Sequence, residues 1–560
     1  MRSLRNSSSR WGRVVAVLVV CGVNFFVHSG APDVSLMESR NFVAAREMVA
    51  GGSWLIPTMN GELRLAKPPL PTWAVAALQK LTGPTEDLGL LRLPAALAAT
   101  LLVLFFWGLA RELTRNAPGE QSQPGRTAWW SALVLASCLL VLTSGREGQW
   151  DIFANSMMVG SLWLLVRGWG QSGKAWLPFL GAGILAGLSM LSKGPVAVYA
   201  LLLPFLLAYL IRQPQHRRQV RRQRWGTLAA AVLGVGVGAS WPAYIGLHVA
   251  PAALRVARTE ISSWGDRHVQ APWYYWSFFA FTGLWALVAL ASLVWPYARV
   301  RAGRFIPYAV ALGWVVAGLV LLSLVPEKKE RYMLPLMPPL ALLVAGLLRY
   351  WETMRNETSA FSGPDRWVVR GWAGLLLLLF LGVPVAMILT HLPGFGWWSP
   401  RFLCGSALFT GLGLWVGWQG VRHARVVGVA RATVVGVAAV VAVLMPAYPA
   451  WEARKDTPGL RRMRDTRQLP ALAAITTWRS LDTLHVKQIW AAGRAIPVWH
   501  PTTKELTKLS TPVGVFSASP TGERLPAGWA GHVRLTVLDT FYLGRNRESG
   551  YWYVSRLDPI

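Results

Sequence analysis

The sequence predicts an α-helical polytopic membrane protein of about thirteen transmembrane helices with a small C-terminal α/β domain on the outer face. Three observations predict it. Apolar runs of span length recur through the first 446 positions. Only 15% of the residues are charged, against roughly 25% in a soluble protein. The arginines gather in short connections between the apolar runs, and beyond residue 447 the apolar runs stop. A β-barrel would show short alternating segments instead, and these are absent from the sequence.

The chain opens with Arg2, Arg5, Arg10 and Arg13 ahead of an apolar run, which resembles a signal peptide. No small-residue cleavage site follows, so the expectation is an uncleaved first helix with its N-terminus in the cytoplasm. The expected spans are 14–29, 89–111, 127–144, 153–169, 176–192, 195–211, 227–247, 274–297, 306–325, 333–350, 368–390, 402–420 and 424–446. Excess Lys and Arg marks the cytoplasmic loops of such a protein. With the N-terminus inside, the inner loops are 112–126, 170–175, 212–226, 298–305, 351–367 and 421–423. Residues 212–224 carry six arginines and no acid, and 297–304 carry three, in keeping with that orientation. The formal charge of +30 therefore reads as an orientation signal and a contact for lipid headgroups, not as a nucleic-acid surface. Cys21, Cys138 and Cys404 all lie in apolar runs, without a disulfide framework or a zinc-type spacing.

The domains expected are a transmembrane domain, 1–446, with a long first outer loop at 30–88, and an outer-face α/β domain, 447–560. The second shows short β-like runs at 513–519, 532–539 and 551–557. Its histidines, His485, His500 and His532, stand apart, with no triad or phosphate loop.

The outer loops hold the residues that can carry chemistry. The first has Glu38, Arg40 and Lys67, the last ahead of a Pro-Pro pair that fixes the approach to the next element. Trp150-Asp151 stands at the mouth of the fourth span, Lys193-Gly194-Pro195 separates the fifth from the sixth, and Glu327 to Tyr332 heads the tenth. Ionisable residues at embedded ends are costly unless paired or solvated, which marks them as functional candidates. For Lys329 and Arg92 the competing reading is snorkelling, for Asp151 a helix cap, and for Lys193 a plain turn between spans. Of the 31 tryptophans, Trp54, Trp264 and Trp276 suit an aromatic belt, whereas Trp73, Trp150 and Trp273 border the candidate site.

The first-loop string Glu38-Ser39-Arg40-Asn41-Phe42-Val43-Ala44-Ala45-Arg46-Glu47-Met48, then Gly52 to Pro57, Asn60-Gly61 and Lys67-Pro68-Pro69-Leu70-Pro71-Thr72-Trp73, resembles the signature of bacterial C-type glycosyltransferases. These are the lipid A aminoarabinose transferases and, more distantly, the protein O-mannosyltransferases. Trp150-Asp151, Lys193-Gly194-Pro195, His268 ahead of Pro272-Trp273-Tyr274-Tyr275, and Arg331-Tyr332-Met333-Leu334-Pro335 follow in the family's order. The resemblance implies the C-type glycosyltransferase fold and transfer of a sugar from a polyprenyl (undecaprenyl) phosphate donor at the outer face of the bacterial inner membrane. The acceptor would be lipid A, another envelope glycan or a protein. Glu38 and Asp151 are the candidate bases. Arg40, Lys67, Lys193 and Arg331 would bind the leaving phosphate. Trp73, Trp150, His268, Tyr274 and Tyr332 would line the substrate pocket, and inversion by direct displacement is the expected course. Two departures stand out: Met37 occupies the place of the family's first-loop Asp, and Ala66 that of an acidic metal ligand. A divalent metal held through His268 is therefore disfavoured. The competing class is a transporter or flippase of lipid-linked sugars, which calls for inverted repeats and charge near mid-membrane that the sequence lacks.

Overall fold

A computed structural model describes residues 2–173, 176–212, 214–252, 254–255, 268–354, 363–454, 459–473, 475–502, 511–529, 531–542 and 550–560. Trp264 lies outside the described residues. The chain divides into two compact units. The first comprises Met1–Ala31, Leu65–Ala74 and Asp87–Ala447, and the second Pro32–Arg64, Val75–Glu86 and Tyr448–Ile560. The grouping differs from a single cut at 446/447, because much of the first outer loop packs with the C-terminal residues.

The first unit is helical, and the chain is an integral membrane protein. Among the described residues seven helices are long and apolar enough to cross a membrane, or eight with the bent pair Arg126–Ala136 and Leu139–Gly145 counted as one. Shorter apolar helices cover Trp11–Phe26, Val198–Ile211 and Tyr308–Leu324. Helix Met337–Met354 is apolar on all sides and is buried on all sides from Met337 to Arg349, as a central helix must be. Helix Gly363–Leu389 instead leaves Trp367, Leu378 and Leu389 exposed, which suits a lipid-facing position.

Two buried arginines close the end of the first helix. That helix, Arg2–Cys21, relaxes into a π turn at Gly22–Phe26, which leaves carbonyls without helical donors. Arg146 donates to the carbonyls of Asn24, Val27 and His28, at 2.9, 2.9 and 2.8 Å. Arg92 donates to the Ser29 carbonyl at 2.7 Å and is 1% exposed, so it does not snorkel. The expected span 127–144 is bent by 62°. At the break the Ser137 hydroxyl donates to the Leu133 carbonyl at 2.6 Å and accepts the Trp285 indole N–H at 2.9 Å. Gly283 faces the same break with φ +70°, and a Cβ there would lie 3.1 Å from the Leu139 Cβ. Both the backbone angle and the space ask for glycine.

Charges expected on the cytoplasmic side are paired with one another. Asp365 is 1% exposed and accepts from Tyr297 Oη at 2.6 Å, Arg301 Nε at 2.7 Å and Trp351 Nε1 at 3.0 Å. Arg349 and Arg126 both pair with Glu352. Cys21 and Cys138 are buried thiols and Cys404 an exposed one.

In the second unit helix Leu36–Val49 begins with a capping box and turns Phe42, Val43 and Met48 inward. Phe42 meets the Trp490 ring at 5.6 Å, on the short helix Val486–Ala491. The hairpin β1 (Thr58–Met59) and β2 (Glu62–Leu63) hangs on Glu47, whose carboxylate accepts from Thr58 Oγ1 and the Asn60 N–H, both at 2.6 Å. The Asn60 side chain exchanges two hydrogen bonds with the backbone of Ile496, at 2.9 and 2.6 Å. A four-stranded sheet completes the unit: β3 (Thr477–Ser480), β4 (Val513–Ser517), β5 (Val533–Tyr542) and β6 (Tyr551–Pro559), in the order β3-β4-β6-β5. The β3/β4 pair is parallel and the others antiparallel. The three β-like runs read from the sequence are β4, β5 and β6.

Candidate active site

Helix Trp150–Trp169 starts after an extended Gln149. Asp151 thus falls in the first turn, where the helix dipole favours an anion. Lys193 is the last residue of helix Trp176–Lys193, where a cation is favoured. Gly194 then adopts φ +68° and its N–H donates to the Met190 carbonyl at 2.7 Å, a left-handed cap that Pro195 follows. The Lys-Gly-Pro string is therefore a turn between helices, and that turn delivers the ammonium.

Its target is Asp151. Lys193 Nζ donates to Asp151 Oδ1, with both side chains under 8% exposed. Arg331 approaches the other oxygen, its Nε lying 3.8 Å from Oδ2, and is 22% exposed. Tyr332 lies under both cations, its ring 4.8 Å from Lys193 Nζ and 5.7 Å from the Arg331 guanidinium carbon. Lys67 Nζ stands 5.5 Å from the Trp150 ring, one residue before Asp151. Trp73 is half-buried on the first turns of helix Leu70–Thr82, its N–H donating to the Pro69 carbonyl at 2.8 Å. One buried carboxylate thus gathers two cations, with a third on the neighbouring indole. Such a group is suited to hold a phosphate, because the excess charge is positive and fixed in place before a ligand arrives.

Arg331 owes its position to a clasp between two loops. Residues Val269 and Glu327 form an antiparallel bridge, the Lys328 N–H donates to the His268 carbonyl at 3.2 Å, and the Gln270 N–H to that of Pro326 at 3.3 Å. Lys328 is 4% exposed, and its ammonium donates to the Val325 carbonyl at 2.7 Å and the Gln270 carbonyl at 3.1 Å. The Tyr275 hydroxyl accepts from the Lys329 N–H at 3.3 Å, and the Tyr274 ring sits edge-on to it at 5.2 Å. Lys329 pairs with Glu327 rather than snorkelling. Sequence reading singled out this charged run but assigned Lys328 no part. The backbone is extended at Lys329, where neighbouring side chains alternate in direction, and it is Lys328 that turns inward.

A metal does not fit this donor set. Among the described residues no group of three or more His, Cys, Asp or Glu is placed to hold an ion. His268 is exposed, and Ala66 offers a methyl group where the family resemblance calls for an acid.

Glu38 and Arg40 belong to the second unit. Glu38 occupies the third position of the capping box: its Oε2 accepts the Ser35 N–H at 2.9 Å, while its own N–H donates to Ser35 Oγ at 3.3 Å. The residue is fully buried. His485 caps the neighbouring short helix, and burial, with Lys487 and Arg40 nearby, pushes its imidazole pKa down. Burial likewise lowers Lys487, against the pull of Asp33 and Glu38. Arg40, His485 and Lys487 thus share one basic neighbourhood, to which the sequence pointed only through Arg40. Elsewhere in the unit Arg467 grips Glu86 with two hydrogen bonds of 2.6 Å, which lower the carboxyl pKa.

The cluster of cations on one carboxylate belongs to an integral membrane protein, and three comparisons with known proteins show what that protein is similar to. The family model described as dolichyl-phosphate-mannose-protein mannosyltransferase matches residues 66–241, a range that contains Lys67, Trp73, Trp150, Asp151 and Lys193. The undecaprenyl phosphate-alpha-4-amino-4-deoxy-L-arabinose arabinosyl transferase of Enterobacter sp. (strain 638) is 24% identical over 375 residues, covering 63% of this chain and 60% of that one. Its counterpart in Pseudomonas savastanoi pv. phaseolicola is 29% identical over 331 residues, 56% of each chain. The chain therefore matches about 60% of the length of such curated relatives. The crystal structure of ArnT from Cupriavidus metallidurans bound to undecaprenyl phosphate superposes with a TM-score of 0.64 at 17% identity, over 97% of this chain and 98% of that one. The fold is shared. Over the matched residues the chain is similar to these transferases, and over nearly its whole length it has the fold of the solved structure.

Proposed function

We propose that this protein transfers a sugar from a polyprenyl phosphate donor to an envelope acceptor such as lipid A, at the outer face of the bacterial inner membrane. The observation that carries this reading is the convergence of Lys193 and Arg331 on Asp151. In the proposed reaction an acceptor oxygen attacks the anomeric carbon of the donor. The bond from that carbon to the phosphate oxygen breaks, and polyprenyl phosphate leaves with the electron pair. Lys193, Arg331, Lys67 and Arg40 stabilise the charge that develops on the leaving phosphate. A phosphate needs no acid to leave, so one carboxylate acting as base suffices, and the anomeric centre inverts. Asp151, engaged by two cations, positions them; Glu38 is then the proton acceptor for the acceptor hydroxyl. Trp73, Trp150, His268, Tyr274 and Tyr332 line the pocket for sugar and lipid.

The topology proposed has thirteen crossings, a cytoplasmic N-terminus, residues 1–446 as the transmembrane domain with the first outer loop at 30–88, and residues 447–560 in the periplasm. The relatives' names favour a lipid-linked aminoarabinose donor, while the family description favours a protein acceptor. The test is transfer by the purified protein in liposomes, with radiolabelled polyprenyl phosphate sugars as donors and lipid A, envelope glycans and proteins as separate acceptors. Label reaching an acceptor identifies both substrates. Donor crossing between leaflets without transfer would make the protein a flippase instead.

A further inference from the structure

Far from Asp151 in its helix, at the other ends of the spans, is a cavity of about 230 Å³. It is lined at the end of helix Leu93–Thr114 by Glu112, Arg115 and Asn116, and from the basic helix Pro214–Arg222 by Gln215, His216 and Gln219. Leu113, Val166, Ile306 and Pro307 add apolar walls. The one acid, Glu112, is paired with Arg115 at 2.9 Å, and the Arg115 guanidinium and the amides of Asn116, Gln215 and Gln219 bring N–H donors to the cavity.

The walls are built rather than incidental. The His216 ring stacks on Tyr209 with centroids 3.8 Å apart and planes 5° from parallel, and Tyr209 stacks in turn on Trp169 at 5.6 Å. Arg222 Nη2 and Gln223 Nε2 both donate to the Gln171 carbonyl, at 2.6 and 3.1 Å, and hold the basic helix against the end of helix Trp150–Trp169. A Cβ on Gly170 would meet Arg115 Nη2 at 2.6 Å, so a larger residue there would shift that guanidinium. Gln215, His216 and Gln219 share one face of the basic helix, and Arg217, Arg218 and Arg221 share the opposite, exposed face. Helix Leu203–Arg212, which contributes Tyr209, also exposes Leu207 and Ile211, the apolar surface that acyl chains require.

We infer that this cavity binds the phosphate-bearing headgroup of an anionic phospholipid of the cytoplasmic leaflet. Arg115, Asn116, Gln215 and Gln219 are the donors for the phosphodiester, His216 bounds the site through its stack on Tyr209, and the surrounding arginines raise the local concentration of anionic lipid. The leaflet rests on the topology proposed above, but the binding itself does not.

The test titrates dioleoylphosphatidylglycerol or dioleoylphosphatidylcholine into the full-length protein in detergent, with retained lipid read by native mass spectrometry. Phosphatidylglycerol is expected to be retained preferentially. That preference should fall about tenfold in Arg115→Gln/Gln219→Leu, as expected for losing a charge-assisted hydrogen bond, and also fall in the milder Asn116→Leu. It should persist in Arg218→Gln/Arg221→Gln. Three results would overturn the inference: no headgroup preference, a preference that survives both cavity variants, or one abolished by the surface-arginine pair alone. Binding of glycerol 3-phosphate without retention of the lipid would overturn it as well, in favour of a soluble phosphate ester. Because no sugar transfer is measured, a negative result here leaves the transferase reading untouched.

Discussion

Lys193 and Asp151 form a buried ion pair above the ring of Tyr332, which lies 4.8 Å from the Lys193 ammonium. The two come from opposite ends of different helices, one charge at the N-terminus of Trp150–Trp169 and the other at the C-terminus of Trp176–Lys193. Each helix dipole favours the charge it carries, and the pair is fixed before any ligand binds.

Removing one partner leaves a buried charge uncompensated, at a cost of about 3–5 kcal/mol. Asp151→Asn and Lys193→Met should therefore each lower the unfolding temperature of the detergent-solubilised protein. The double variant should lose less than the sum of the two. Additive losses would mean that the charges do not act as a pair.

Glu38 combines a structural role with a proposed chemical one, and the two separate by substitution. Ser35→Ala breaks the capping box at a cost of about 1 kcal/mol while leaving the carboxylate in place. Glu38→Gln keeps an oxygen that can accept the Ser35 N–H but not a proton. Transfer should fall about 10²–10⁴-fold in Glu38→Gln and change little in Ser35→Ala. Equal losses in both would reduce Glu38 to a cap.

The Glu86 carboxyl, held by Arg467, titrates below its ordinary value. A depressed carboxyl contributes stability above its unfolded value, about 4.3, and loses it as the pH falls through the folded value. The second unit should thus become more susceptible to proteolysis in acid, and Glu86→Gln should remove that part of the pH dependence. Protease digestion of the full-length protein across pH 3 to 7 measures it.

The donor set around His268 does not fit a divalent ion, so incubation with a chelator should leave transfer unchanged. A chelator that stops transfer, with recovery on adding zinc, would contradict that reading of Ala66 and His268.

Gly283→Ala should destabilise the first unit by about 1–3 kcal/mol for its backbone angles alone, φ +70° with ψ −123°. The 3.1 Å approach to Leu139 adds to that cost. Thermal unfolding of the variant checks it.

Much of the fold was legible because a membrane imposes a simple rule: a span must be long, apolar and internally hydrogen-bonded. The Lys193-Gly194-Pro195 stop and the strands at 513–517, 533–542 and 551–559 were readable from local chemistry, a Gly-Pro helix stop and runs of β-branched and aromatic residues. The bend at Ser137 was not, since it depends on Trp285, distant in sequence. Nothing in the sequence singles out Arg146, yet it satisfies three carbonyls in and just beyond the π turn that ends the first helix. Glu38 read as a bare acid among cations because its partner Ser35, three residues back, was not recognised as a cap. Lys487 and His485 could not be associated with Arg40 without the packing of helix Leu36–Val49 on Val486–Ala491.

The proposal that Asp151 holds Lys193 and Arg331 for a lipid phosphate is tested most directly by the affinity of the purified protein for undecaprenyl phosphate. Wild type should bind it, and Lys193→Met and Arg331→Met should each weaken binding about tenfold or more, the value of a charge-assisted hydrogen bond. Unchanged affinity in both variants would contradict it and place the phosphate elsewhere.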